Sequence, residues 1–116
     1  MIMLTLTLLR EANVKRQQEW DAERVLKPTF FAIELAGEVG EVCNVVKKLE
    51  REQYGIPGSR VNVDDLADEL ADVIIVADLL AERYGIDLEV AVARKFNKTS
   101  RARGFRTVFA NVPEPT

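Results

Sequence analysis

Apolar residues recur at steps of three and four through two long segments, a period that only a helix turns into a single buried face. In the first segment Phe31, Leu35, Val39, Val42, Val46 and Leu49 follow Pro28, whose fixed φ suits a first helical turn. In the second, Asp64 is positioned to cap a helix carrying Leu66, Leu70, Val73, Ala77 and Leu80, and the run should stop at Tyr84-Gly85. A weaker pattern from about Thr7, the expected N-cap, through Leu8, Ala12 and Trp20 predicts a helix that fades before Lys27-Pro28. Asp87 is placed to cap a fourth helix bearing Val90, Ala93 and Phe96, which Gly104 should end. Tyr54 to Val63, with Gly55, Pro57 and Gly58, reads as a loop. The tail from about 107 to 116, with Pro113 and Pro115, reads as frayed. Four helices without an alternating strand predict an all-α, four-helix bundle in one domain over 1–116.

Cysteine and histidine usage narrows the chemistry. A single Cys43 excludes an intrachain disulfide, and with no histidine the usual ligand of zinc, haem and non-haem iron is missing. Cys43, beside Val42 in an apolar stretch, is expected as a buried thiol. Any metal must therefore be held by oxygen. The net charge of −3 argues against a nucleic-acid-coating role. Met1 to Leu9 is apolar but lacks a basic flank and a cleavage site and is too short for a membrane span, so a cytoplasmic location with no membrane partner is expected.

The charges are segregated along the chain. Asp64 to Asp78 holds six acids and no base, and Arg94 to Arg106 six bases and no acid. Between Phe30 and Val46 the only charged side chains are Glu34, Glu38 and Glu41, a stripe at steps of four and three within apolar and glycine-rich sequence. The next helix repeats it: a shift of 31 positions lays Glu38 on Glu69, Glu41 on Asp72, and Glu34-Leu35-Ala36 on Asp65-Leu66-Ala67. One ExxE on a solvated helix carries little meaning, whereas two facing stripes would gather four to six mutually repelling carboxylates. A hard divalent cation, Mg²⁺ or Mn²⁺, is the natural partner of such an all-oxygen set.

These residues resemble a known family, the MazG-like all-α nucleoside triphosphate pyrophosphohydrolases. The likeness is carried by Glu38-Val39-Gly40-Glu41, by Glu69-Leu70-Ala71-Asp72, by Tyr84-Gly85-Ile86-Asp87 and by Lys95-Phe96-Asn97-Lys98-Thr99-Ser100-Arg101, and it spans about residues 28–104. It implies Mg²⁺-assisted hydrolysis of a (deoxy)nucleoside triphosphate between the α and β phosphates, giving monophosphate and pyrophosphate, in nucleotide-pool house-cleaning. Mapped by motif position, Glu38, Glu41, Glu69 and Asp72 would be the metal ligands. Glu34 and Asp65, one turn earlier, are candidates to orient the attacking water or to hold a second ion. Lys95, Asn97, Thr99 and Arg101 would supply donors to the phosphate chain, and Trp20 is a candidate to stack on the base, with a core or interface position as its alternative. A homodimer or homotetramer is expected, both from the family and because so short a chain with such apolar helices should leave a face uncovered. The alternatives are a dUTPase or phosphoribosyl-ATP pyrophosphohydrolase activity on the same scaffold, or a non-catalytic metal-binding adaptor. A di-iron bundle is excluded by the absence of ExxH motifs.

Overall fold

The computed structural model describes residues 1–58 and 60–114. Four helices follow in chain order: α1 Leu6–Trp20, α2 Pro28–Gln53, α3 Val63–Arg83 and α4 Leu88–Ala102. Among the described residues there is no strand, so the all-α expectation holds. Helices α2 and α3 form a long antiparallel hairpin, α1 packs along α3, and α4 rests chiefly on α1. No helix is long and apolar enough to cross a membrane.

The helix ends follow local chemistry, with two corrections. Thr5 rather than Thr7 caps α1, its hydroxyl accepting from the Leu8 N–H at 3.0 Å. Thr7, two residues further in, instead donates to Glu89 at 3.0 Å and ties α1 to α4. Asn62 rather than Asp64 caps α3 in a reciprocal capping box: Asn62 accepts from the Asp65 N–H at 3.0 Å, and Asp65 accepts from the Asn62 N–H at 2.8 Å. Both errors come from competing oxygen-bearing side chains within two residues of the start. Pro28 opens α2 and Asp87 caps α4 as expected, Asp87 accepting from the Val90 N–H at 3.1 Å. After α3 the chain turns at Gly85, whose φ of +65° puts the Ile86 N–H on the Ala81 carbonyl at 2.9 Å, the six-to-one bond that closes a helix.

The tail is not frayed over its described part. Asn97 reads the backbone of Phe109 with both ends of its amide, donating to the carbonyl at 2.9 Å and accepting from the N–H at 2.7 Å. Phe96 and Phe109 meet edge to face at 5.1 Å, and Arg94 donates to the carbonyls of Pro113 and Glu114. An amide that matches a peptide group in both donor and acceptor holds the returning chain as a strand neighbour would. Residues 115 and 116 lie outside the described residues.

Packing between α1 and α3 is largely polar, which explains why α1 shows so little apolar rhythm. Asp78, fully buried on α3, accepts from the Arg10 Nε at 3.1 Å and pairs with its Nη2 at 3.0 Å, while Asn13 donates to it at 3.0 Å. The same guanidinium donates to the Ile86 carbonyl at 2.7 Å, so one arginine locks α1, α3 and the turn into α4 together. The apolar core is small: among the described residues, Phe31, Val45, Val76 and Ala81 are the buried hydrophobic ones. Phe31 is further covered by Arg83, 6.0 Å from the ring centroid.

Candidate metal centre

The seam between α2 and α3 is built from a stripe that the apolar rhythm alone does not select. Phe31, Leu35, Glu38, Val42, Val45 and Leu49 are buried or half-buried, while Val39 and Val46, expected on the core face, are 45% and 37% exposed. On α3 the inner stripe is Leu66, Glu69, Val73, Val76 and Leu80, and Leu70, expected inside, is 48% exposed. Each helix thus turns a glutamate into a position whose heptad neighbours are core residues, and turns the adjacent Val39 or Leu70 out.

The inward glutamates meet. One carboxylate oxygen from each of Glu38, Glu69 and Asp72 lies within 4.8 Å of the others. Glu41 stands exposed beside them, and Glu34 is half-buried one turn before Glu38. Partial burial, then the charges of Asp72, Glu69, Glu34 and Glu41, hold the Glu38 carboxyl above its ordinary value. Partial burial, then Glu41, Asp72, Asp68 and Asp65, do the same to Glu69. Among the described residues the ion pairs are Arg10–Asp78 and Arg24–Glu82, and neither reaches this cluster.

Such a donor set fits a hard divalent cation. It offers only carboxylate oxygen, and ligands on opposite sides of a Mg²⁺ at about 2.1 Å stand about 4.2 Å apart, so small side-chain rotations close the set around an ion. Glu38, Glu69 and Asp72 stand close enough together to share such an ion, and Glu41 lies exposed beside them. The cluster is otherwise a local repulsion at the seam of the hairpin.

A pH dependence follows. A carboxyl held above its ordinary value in the folded state binds more protons folded than unfolded in the window between the two values, so its contribution to stability falls as pH rises through that window and is recovered as pH drops. In metal-free buffer, Glu38→Gln/Glu69→Gln should therefore melt above the parent at about pH 8, and the gap should close as pH falls toward about 5. Scanning calorimetry of both proteins across this range checks it, and a gap that stays constant or widens on acidification contradicts it.

The remaining sequence-predicted residues are not brought together. Asp65 has one carboxylate oxygen engaged in its capping box. Asn97 is 2% exposed with its amide spent on Phe109, so it serves the tail. Lys95 and Thr99 lie along an open apolar cleft of about 700 Å³ with Val92, Phe96 and Phe105. Arg101 borders a different cleft of about 590 Å³, between α4 and the tail. Trp20 stands 78% exposed at the end of α1. Cys43, expected as buried, is exposed on α2, since its position on the helix faces away from the seam. The Arg10–Asn13–Asp78 network was missed altogether. Its only sequence signal is an aspartate in the otherwise apolar run Val73 to Leu80, facing an arginine and an asparagine three residues apart.

Comparison with known proteins bears directly on this arrangement. Residues 26–103 match the family model described as the MazG nucleotide pyrophosphohydrolase domain. The chain is also 33% identical over 78 residues to the Gene 37 protein of Mycobacterium phage L5, an alignment covering 67% of this chain and 68% of that protein, whose name states no activity. The matched span contains α2, α3, both carboxylate motifs and all of α4. With the hairpin, the facing ExxE and ExxD motifs and this match in agreement, the chain belongs to the MazG nucleotide pyrophosphohydrolase domain family.

Proposed function

We propose that this protein hydrolyses a (deoxy)nucleoside triphosphate between the α and β phosphates, releasing monophosphate and pyrophosphate, with Mg²⁺ held by Glu38, Glu41, Glu69 and Asp72. The observation that carries this reading is the convergence of three carboxylate oxygens within 4.8 Å, unpaired with any base among the described residues, inside a family of pyrophosphohydrolase domains. Bound there, the cation supplies charge neutralisation to the phosphate oxygens and acidifies the attacking water.

The chain's own groups do the rest. Glu34 sits one turn from Glu38 with no hydrogen bond among the described residues, which leaves both its oxygens to orient a water in line with the α phosphorus and accept its proton. Asp65 is the second candidate, with one oxygen remaining outside its capping box. Attack forms the new P–O bond as the α–β bridging bond breaks, and pyrophosphate leaves carrying the electron pair. Lys95 and Arg101 are assigned to the phosphate chain as charge-assisted donors, Thr99 as a neutral one, and Trp20 to the base. Asn97 is left out of that set, since it is 2% exposed and its amide is held on the Phe109 backbone.

A panel of canonical and damaged (deoxy)nucleoside triphosphates, with dUTP and phosphoribosyl-ATP included, should give pyrophosphate and monophosphate from at least one member in Mg²⁺ or Mn²⁺, and nothing in EDTA. Phosphorus NMR of the products distinguishes this from orthophosphate release. Orthophosphate alone, or turnover unchanged by chelator, contradicts the reading.

A further inference from the structure

The cleft between α4 and the tail has one wall inside the span that matches the family model, while the tail that forms the other follows residue 103, where that match ends. Its floor is the clasp on the tail: Asn97, 2% exposed, holds the Phe109 peptide group by both donor and acceptor. Beyond it the chain bends at Asn111, whose φ of +59° is a left-handed conformation that asparagine adopts more readily than most residues. It then returns to Arg94, whose Nε and Nη2 donate to the Pro113 and Glu114 carbonyls at 2.6 and 2.7 Å. Pinned at both ends, the tail encloses a cleft of about 590 Å³, a volume within the range of small-molecule sites.

The cleft is cationic. Arg94, Lys98 and Arg101 line it at steps of four and three along α4, so they share one helix face, and Glu114 is the single acid among the lining residues. Cations at that spacing repel one another. Neither Lys98 nor Arg101 is ion-paired among the described residues, and the sequence from Arg94 to Arg106 supplies no acid to pair them. The tail carbonyls fix the Arg94 guanidinium and leave its Nη1 unspent. Val108 and Phe109, on the tail, are 43% and 53% exposed, with Val112 and Pro113 beside them.

This combination has a chemical reading. Two guanidinium groups and an ammonium against one acid favour a dianion, and planar guanidinium forks match phosphate oxygens in pairs. The exposed apolar wall favours a ligand that also carries a flat ring. None of the seam carboxylates lines the cleft, and Lys95 and Thr99 line the separate cleft on α4.

We infer that the α4–tail cleft is a second, metal-independent site, which takes a phosphomonoester carried on a flat ring, a nucleoside monophosphate being the simplest member of that class. Its phosphate oxygens lie against Lys98, Arg101 and the unspent edge of Arg94, and its ring lies on Val108 and Phe109. The site stands whether or not the protein hydrolyses a triphosphate.

Titration calorimetry and heteronuclear NMR in EDTA test it, because without a cation the seam carboxylates repel a phosphate and only the cleft attracts one. With dAMP as the probe, binding should be saturable and should weaken as salt rises. The side-chain amide of Asn97 and the N–H of Phe109 should shift, while the amides of Glu38 and Glu69 stay in place. Deoxyadenosine has the ring without the phosphate, inorganic phosphate lacks the ring, and malonate is a dianion with neither. Each should bind at least about tenfold more weakly than dAMP, the scale of one lost hydrogen bond to a charged group. Lys98→Glu on the exposed side of α4 and Val108→Asp on the tail should each weaken dAMP by about tenfold or more with helical circular dichroism retained, whereas Glu69→Gln should leave its affinity unchanged. No saturable binding of dAMP in EDTA, affinity indifferent to both cleft variants, or affinity lost with Glu69→Gln overturns the site. Deoxyadenosine, inorganic phosphate or malonate binding as tightly as dAMP overturns the class of ligand assigned to it.

Discussion

Glu38→Gln or Glu69→Gln should cut turnover by at least about a hundredfold, the scale of removing an essential charge-stabilising group, while leaving apo stability unchanged or higher. The two effects have one cause. Each glutamate sits at a seam position among core residues, and its carboxyl is held above the ordinary value first by partial burial and then by neighbouring carboxylates. Replacement by the isosteric amide keeps the volume in the seam and deletes a repulsion, so the empty hairpin relaxes. It also removes a charged oxygen from a set spanning 4.8 Å, so the cation is lost or misplaced. Adding Mg²⁺ should then raise the melting temperature of the parent more than that of either variant, since a ligand stabilises the state that binds it. Melting curves with and without Mg²⁺, alongside turnover, check the prediction. Variants destabilised in metal-free buffer that keep their activity contradict it.

Asp78→Ala should have the largest effect on folding, about 3–5 kcal/mol, because it leaves the mostly buried Arg10 guanidinium without its counter-ion. Asp78 is fully buried and accepts from both Arg10 and Asn13, so the loss also strands an asparagine donor that is 2% exposed. Glu82→Ala provides the contrast. Its partner Arg24 is 54% exposed at the side chain, and the pair at 3.3 Å is worth about 1 kcal/mol or less. Urea denaturation of the two variants should separate them clearly. A loss below about 1 kcal/mol for Asp78→Ala would mean that the network does not hold α1 to α3 as described.

Much of this architecture is legible in the chain because its signals are local. Pro28 at the start of α2, Asp87 at the start of α4 and Gly85 after α3 act through geometry that the backbone imposes within a few residues. The facing carboxylate motifs are legible for the same reason: spacing on a helix places them on one face. What a helical period could not decide was which of two adjacent stripes faces the partner helix. Choosing Val39 and Leu70 over Glu38 and Glu69 maximises apolar burial in an isolated hairpin, but the chain half-buries the acids and exposes the aliphatics. That conflict between local pattern and fold is where function is expected to intrude. The polar lock of Arg10, Asn13 and Asp78 was hidden for a related reason, since polar residues on a helix with little apolar rhythm read as solvated until a buried partner is known. Asn97 was assigned by motif position to the phosphate chain, and its partner is the tail backbone twelve residues on, which no periodicity announces.

In the proposed function the seam carboxylates hold a divalent cation. Titration of Mn²⁺ into the metal-free protein, followed by the electron paramagnetic resonance signal of the free ion, tests it without requiring substrate or turnover. The parent should deplete the free-ion signal up to a defined stoichiometry, Mg²⁺ should compete for the same sites, and Glu69→Gln should leave the signal at or near its protein-free level. Equal depletion by the parent and Glu69→Gln would contradict the account, because the cation would then be held somewhere other than the meeting point of α2 and α3.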